Sequence, residues 1–350
     1  MIRVLVVDDS AFMRRLLVKL LEPHEDIEVV ATAMDGVFAL DKIQQLESSK
    51  PDVVTLDLEM PRLDGMSTLR RIVDDFQLPV ILVSAHTSEG ATATFEGLAA
   101  GAVDFIKKPD RIHSSPMGAL GADLVAKIRV AAKAKVRRSL ARKTAEPTRD
   151  PRRASITGAA VPVRDIVGIA ISTGGPNALS QLLAQIRGDF SPSLLIVQHM
   201  PEGFTAQFAT RLAKLSAIDV HEAREGEVVS SSCAFVAPGG QHMQLVRESG
   251  KLRLRLTLDE PENGHRPSAD VLFRSMAEVV GPKCVGVVMT GMGEDGAAGA
   301  SAIHEAGGYT LAQDEASSVV FGMPKAAIER GVVDKVLPLS KISNYLNSLS

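Results

Sequence analysis

Cysteine is scarce in this 350-residue chain: Cys233 and Cys284 are the two present, far apart and without C-x-x-C spacing. Neither a disulfide framework nor a zinc site is suggested, and the reducing cytoplasm is the compartment that fits. A long apolar run is missing too. The N-terminus, MIRVLVVDDS, meets two carboxylates after a few apolar residues, and no stretch of about 18 uncharged apolar residues follows. No signal peptide and no direct membrane insertion are expected. An excess of one charge is also lacking: 39 Lys and Arg stand against 42 Asp and Glu, a net charge of −3. Such a chain has no broad cationic field, and with no basic recognition helix it is not expected to bind nucleic acid. No internal repeat or low-complexity segment appears.

What is present is the balance of a folded protein, 45% hydrophobic and 23% charged residues, in a length that suits two cores of roughly 120 to 190 residues. Short β-branched runs alternate with amphipathic stretches. Ile2–Val7, Ile27–Thr32, Asp52–Leu56, Pro79–Ser84 and Val103–Ile106 read as strands, and Ala11–Leu21, Val37–Leu46 and Met66–Phe76 as helices. This alternation predicts a doubly wound α/β domain of flavodoxin-like type over about 1–125, with a final helix from Ala119 to about 139. A stretch rich in Arg, Pro, Ser and Thr without apolar periodicity places a linker at about 140–163. Alternation then restarts over 164–350, with strands at Ile166–Ile171, Leu194–Gln198, Val285–Thr290, Tyr309–Ala312 and Val332–Leu337. The second domain is thus expected to be a mostly parallel α/β sheet. Cys233–Val246 and Leu252–Leu258 read as an antiparallel hairpin added to it.

In the first domain Asp8 and Asp9 end the first strand and Asp57 ends the third, the two strands that flank the switch point of a flavodoxin-like sheet. Any one of them reads equally well as a solvated loop residue. Together, three carboxylates at that place suit Mg²⁺, which takes a few carboxylates plus waters and phosphate oxygens. Ser84 closes the fourth strand with a hydroxyl and Lys108 follows the fifth with a cation, and both suit a phosphoryl group. This set, carried by VVDDS, LDLEMPRLDG and DFIKKP, resembles the receiver domain of two-component response regulators. The resemblance implies that Asp57 accepts phosphate from a chemotaxis histidine kinase, with Asp8, Asp9, Asp57 and the backbone carbonyl of Glu59 holding Mg²⁺. It also makes Ser84 and Phe105 the switch pair, although Phe105 suits core packing too, and it prefers Lys108 to Lys107 because the lysine in that family directly precedes proline.

In the second domain GIAISTGGP puts Ser172 where a strand ends, followed by small residues and by Pro176, which favours a first helical turn. Free amides and a helix dipole at such a turn can stabilise an oxyanion. Alone, the motif reads more readily as a helix cap or a phosphate-binding turn. His199 follows the apolar run LLIVQ, and Asp295 lies in GMGEDGAAG beyond another apolar run. A strand-end histidine with a structural role and an acidic N-cap are the plain alternatives, and His221, His242 and His265 are competing histidines. Three separate strand ends nevertheless deliver nucleophile, base and orienter to one crevice, the set used in acyl transfer. Their order differs from that of α/β-hydrolases.

Through ISTGGP, VQHMP, FVAPGGQHM, NGHRPSADVLF and MTGMGEDGAAG, about 165–348 closely resembles the catalytic domain of chemotaxis protein-glutamate methylesterases. Glu294 departs from the asparagine common in that family. The resemblance implies hydrolysis of glutamate γ-methyl esters on methyl-accepting chemotaxis receptors, possible deamidation of receptor glutamine, and a triad of Ser172, His199 and Asp295. No cofactor is expected for ester hydrolysis, and the backbone amides of Thr173 and Met292 are the oxyanion candidates. It further implies a cytoplasmic enzyme recruited to membrane receptor arrays, whose unphosphorylated receiver covers the catalytic crevice. A response regulator with a non-enzymatic binding module at its C-terminus is the competing reading. The G-x-G-x-x-G spacing of dinucleotide sites is absent, which weakens it.

Overall fold

The computed structural model describes residues 1–46, 49–84, 88–109, 117–134 and 165–349. The expected linker at 140–163 and the end of the helix expected to reach about 139 lie outside these residues.

The first sheet holds β1 (Ile2–Val7), β2 (Ile27–Ala33), β3 (Val53–Asp57), β4 (Val80–Ser84) and β5 (Asp104–Lys107) in the order β2-β1-β3-β4-β5. All neighbours are parallel. Its helices are α1 (Ala11–Leu21), α2 (Gly36–Gln45), α3 (Gly65–Arg71), α4 (Ser88–Ala99) and α5 (Met117–Ala131). Helices cover both faces, so β3 and β4 are buried along their whole length and are mostly apolar, as strands of a parallel sheet are. Ser10, Asp35 and Asp64 each accept an amide hydrogen bond at the start of their helix, which satisfies a donor the helix cannot pair internally. The helix expected over Met66–Phe76 changes character: α3 stops at Arg71 and a π-helical turn, Ile72–Phe76, completes it.

The second sheet has seven strands: β6 (Ile166–Ile171), β7 (Ser193–Gln198), β8 (Asp219–Glu222), β9 (Cys233–Val236) and, after the hairpin β10 (His242–Glu248) and β11 (Lys251–Thr257), β12 (Cys284–Val288), β13 (Tyr309–Gln313) and β14 (Lys335–Leu337). Their order is β14-β13-β12-β6-β7-β9-β8, all parallel. Helices α6 (Gly175–Leu183), α7 (Thr205–Ala213), α8 (Ala269–Val280), α9 (Ala297–Glu305), α10 (Met323–Glu329) and α11 (Leu339–Asn347) cover it. Because the chain leaves β6 toward β7 and later returns on the other side at β12, a crevice opens beyond the carboxyl ends of β6, β7 and β12, where doubly wound sheets bind ligands.

The expected hairpin forms, but as a two-stranded sheet of its own packed on α8. The run Cys233–Val246 is two strands rather than one. Pro238, Gly239 and Gly240 break it, so the fully buried β9 joins the parallel sheet while β10 turns away to pair with β11.

The two domains pack directly on one another. Helix α4 lies against α6 and α7, with Phe95 stacked on Phe208 at 5.3 Å between centroids and edge-on to Phe204 at 6.4 Å. Phe105 of β5 meets the same Phe204 at 4.8 Å. Asn177 donates to Leu98 O at 2.6 Å. No helix among the described residues is long and apolar enough to cross a membrane.

Candidate active site and acidic site

Ser172 is the first residue beyond β6. Its amide donates to Thr290 O at 3.0 Å, and its carbonyl accepts from Gly175 N at 2.7 Å and from Gln198 Nε2 at 3.1 Å. These bonds pin the backbone of the turn from three sides. Gly174 completes it at φ 78°, a left-handed conformation costly for a residue with a Cβ, which here would also meet Val319 at 2.7 Å. The opposing wall comes equally close: a Cβ on Gly291 would lie 2.9 Å from that of Ser172. The amides of Thr173 and Met292 donate to no group among the described residues.

His199 follows β7, its amide bonded to Ile171 O at 3.1 Å beside the serine turn. Its Nε2 lies 2.7 Å from Asp295 Oδ2, and both side chains are buried. Burial by itself would raise the Asp295 pKa. Hydrogen bonds from His199, the Ser268 hydroxyl and Ala269 N outweigh it and hold the carboxyl far below the usual range. The carboxylate is therefore ionised and can only accept, so His199 Nε2 carries the proton between them, and in the neutral ring Nδ1 keeps its lone pair. Nδ1 is buried without a hydrogen-bond partner. With Nε2 occupied, Nδ1 is the ring nitrogen left for another partner, the reverse of the ring polarity in the chymotrypsin template. No hydrogen bond joins the serine hydroxyl to His199 here. Such bonds commonly tighten only when substrate is bound.

Asp295 lies in the loop between β12 and α9, and it caps a helix other than the one it precedes. Gly296 is the N-cap of α9, whereas the Asp295 carboxylate sits at the start of α8. Its Oδ2 accepts Ala269 N at 2.7 Å, and its Oδ1 accepts the Ser268 hydroxyl at 2.6 Å, Asp270 N at 3.1 Å and Asn263 Nδ2 at 3.3 Å. Ser268, the N-cap of α8, makes no side-chain bond to its own helix. The helix dipole and four neutral donors thus compensate the buried charge. Asn263, Ser268 and Gln198 were not among the residues singled out from sequence. Ser268 carried an N-cap signal before an apolar helical run, but nothing in the sequence pairs it with Asp295.

The competing histidines are engaged elsewhere or differently. His221 pairs with Glu227 at 2.8 Å, and His242 is buried between Glu260 O at 3.1 Å and Ser268 N at 3.1 Å. His265 lies flat on His199, with centroids 3.9 Å apart and planes 15° from parallel. Glu294 is at the surface, 3.7 Å from Arg330.

In the first domain one ligand oxygen from each of Asp8, Asp9 and Asp57 lies within 4.8 Å of the others. Lys108 Nζ bridges Asp57 Oδ2 at 2.7 Å and Asp8 Oδ2 at 3.1 Å. Burial, with Asp8 adding to it, pushes Asp57 up to about 6 against the pull of Lys108. The three close carboxylates supply the oxygen donors that fit Mg²⁺, and the Lys108 cation stands beside them as a counter-charge. Glu59, also singled out, follows on the loop and its amide donates to Asp57 Oδ1 at 3.1 Å. Ser84 is buried, within 2.5 Å of the Thr94 hydroxyl. Phe105 is buried at the domain boundary with Lys127 Nζ over its ring at 5.4 Å. Its neighbour Asp104 accepts the Thr173 hydroxyl at 2.6 Å, a buried bond from the receiver-like sheet to the residue after Ser172.

A family model described as CheB methylesterase matches residues 167–346, and one described as a response regulator receiver domain matches 4–114. A protein-glutamate methylesterase/protein-glutamine glutaminase of Koribacter versatilis is 50% identical over 99% of this chain and 95% of its own length. One of Pyrococcus horikoshii is 47% identical over 97% and 91%. The crystal structure of the Thermotoga maritima CheB methylesterase catalytic domain aligns with 53% of this chain and 99% of its own at 40% identity and a TM-score of 0.53.

Proposed function

This chain belongs to the CheB methylesterase family, and from that membership and the geometry of its site we propose that it hydrolyses glutamate γ-methyl esters on chemotaxis receptors, releasing methanol, under control of its receiver domain. The observation that carries this reading is the buried His199–Asp295 pair with Nδ1 unpartnered beside the Ser172 turn. Ser172 Oγ attacks the ester carbonyl while His199 Nδ1 takes its proton, and the amides of Thr173 and Met292 receive the oxyanion. Collapse breaks the acyl–oxygen bond, and the proton on Nδ1 passes to the departing methoxide. Water then attacks the acyl-enzyme as Nδ1 again takes the proton, which returns to Ser172 Oγ as glutamate leaves. Deamidation of glutamine follows the same course with ammonia as leaving group.

Asp8, Asp9 and Asp57 are the residues to hold Mg²⁺, with Asp57 the acceptor of a phosphoryl group from a chemotaxis histidine kinase. Bound Mg²⁺ would offset the negative charge gathered on these carboxylates and the phosphoryl oxygens. Lys108 is placed to release one of its two carboxylates and pair with the phosphoryl group. Lys108 directly follows β5, whose Asp104 holds Thr173 and whose Phe105 packs on Phe204. A new charge at Asp57 can thus bias the domain contact through a single strand.

Methanol release from methylated receptor membranes, with and without a small-molecule phosphoryl donor and Mg²⁺, tests the reading. Wild type is expected to respond to the donor, and Asp57→Asn to remain at the basal rate under both conditions. No methanol from folded, phosphorylated wild type on several receptors would overturn the assignment. Asn177→Ala removes the hydrogen bond to Leu98 at the domain boundary, a contact worth about 1 kcal/mol. Its basal rate is expected to rise roughly 5-fold, the factor that this energy implies, with the phosphorylated rate unchanged. An unaltered basal rate would show that this bond does not hold the closed arrangement.

A further inference from the structure

We propose that His265 is a positioning residue for the base: its ring, laid flat on His199, fixes the imidazole plane so that Nδ1 stays aimed at Ser172. The inference rests on the hydrolase reading above.

A single hydrogen bond from Nε2 to Asp295 fixes one end of the His199 ring but leaves it free to rock about that bond. Contact with a second aromatic plane at 3.9 Å and 15° removes that freedom. The turn that carries His265 is itself anchored. Glu262 N bonds His265 O at 3.1 Å, His265 N bonds Glu262 O at 2.9 Å, and Gly240 N bonds Arg266 O at 3.0 Å. Arg266 Nη1 reaches Leu258 O at 2.8 Å and Asp259 O at 3.0 Å. The same turn supplies Asn263 to Asp295, so one short segment touches both the base and its orienter.

His265 is suited to support the base rather than to replace it. Its ring donates to no carboxylate among the described residues, so none of these fixes its tautomer as Asp295 fixes that of His199. Burial pushes its pKa down to about 4; a charge on His199 and that of Lys127 from α5 act in the same direction, and Asp295 pulls the other way. Near neutral pH it is therefore an uncharged plane. Such a plane can stack on His199 as neutral imidazole and as the cation formed when the serine proton is taken, without like-charge repulsion.

The test uses the full chain with Mg²⁺ and phosphoryl donor and two readouts: the rate at which a fluorophosphonate labels Ser172, which needs no receptor, and methanol release from methylated receptor membranes. His265→Ala is expected to lower kcat and the labelling rate by about 10- to 100-fold, the scale of a misplaced reacting group, with KM changed less than about 2-fold. His265→Phe, which keeps the plane without a titratable group, is expected to restore most of both rates. If the alanine variant fails to fold, His265→Leu, which keeps bulk without an aromatic face, takes its place. Wild-type rates in the alanine or leucine variant would overturn the proposal. So would a phenylalanine variant as slow as they are. A wild type that is not labelled at all would instead sink the nucleophile assignment, and with it this inference.

Discussion

Ser172→Ala is expected to abolish methanol release from phosphorylated, receptor-supplied enzyme, a loss of at least about 10,000-fold. The change removes one hydroxyl and leaves the turn intact, because every bond that the structure records for Ser172 runs through its backbone. The melting temperature is therefore expected to stay at the wild-type value, so that lost activity cannot be ascribed to unfolding. Since nucleophile and base act as one unit, Ser172→Ala combined with His199→Ala is expected to be scarcely slower than either single change. Receptor-dependent methanol release surviving in the serine variant would remove Ser172 from the mechanism.

Asp295→Asn is expected to cost about 1,000- to 10,000-fold in kcat, and unlike the serine change it also destabilises. An amide offers one oxygen where the carboxylate offers two. If the oxygen faces His199 and Ala269 N, the amide NH₂ is turned on the Asp270 amide, leaving donor against donor and a cost of about 1–3 kcal/mol. If the amide is reversed, its NH₂ faces His199 Nε2, the ring proton moves to Nδ1, and the base can no longer accept from serine. The stability loss has a defined pH dependence. The Asp295 pKa is held below its unfolded value, so its contribution is present above about pH 4 and is lost as the pH falls toward its folded pKa. Chemical denaturation is expected to show the largest gap between wild type and Asp295→Asn near neutrality and a shrinking gap below about pH 4. An equal gap at every pH would mean that the charge of Asp295 is not what α8 relies on.

The alternation of apolar runs with amphipathic stretches made both parallel sheets legible, because strands buried on two faces must be apolar along their whole length while their covering helices keep one polar face. The same pattern placed the candidate groups. Asp57, Ser84, Ser172 and His199 each stand at or just beyond the carboxyl end of such a run, and Asp295 in the loop that follows one. Lys108 was separable from Lys107 by its place before Pro109, and it is Lys108 that bridges Asp57 and Asp8. Phe105 carried two readings, switch residue and core residue, and its buried ring lies where the two domains meet.

Relations between segments distant in sequence were not legible. The Asp104–Thr173 bond joins residues 69 positions apart, and Asp295 meets the first turn of α8 some 26 positions earlier. Cys233–Val246 alternates like one strand, yet a Pro-Gly-Gly turn divides it between two sheets. The sequence by itself determined the fold class, the strand ends that carry the reactive groups and their chemical kinds, because periodicity and residue type are local properties of the chain. Only the tertiary structure decided which nitrogen of His199 faces the carboxylate, which helix Asp295 caps, and that His265 lies against the base. Each of these depends on the direction of a side chain in three dimensions, and that direction is set by packing between segments whose separation in sequence carries no record of it.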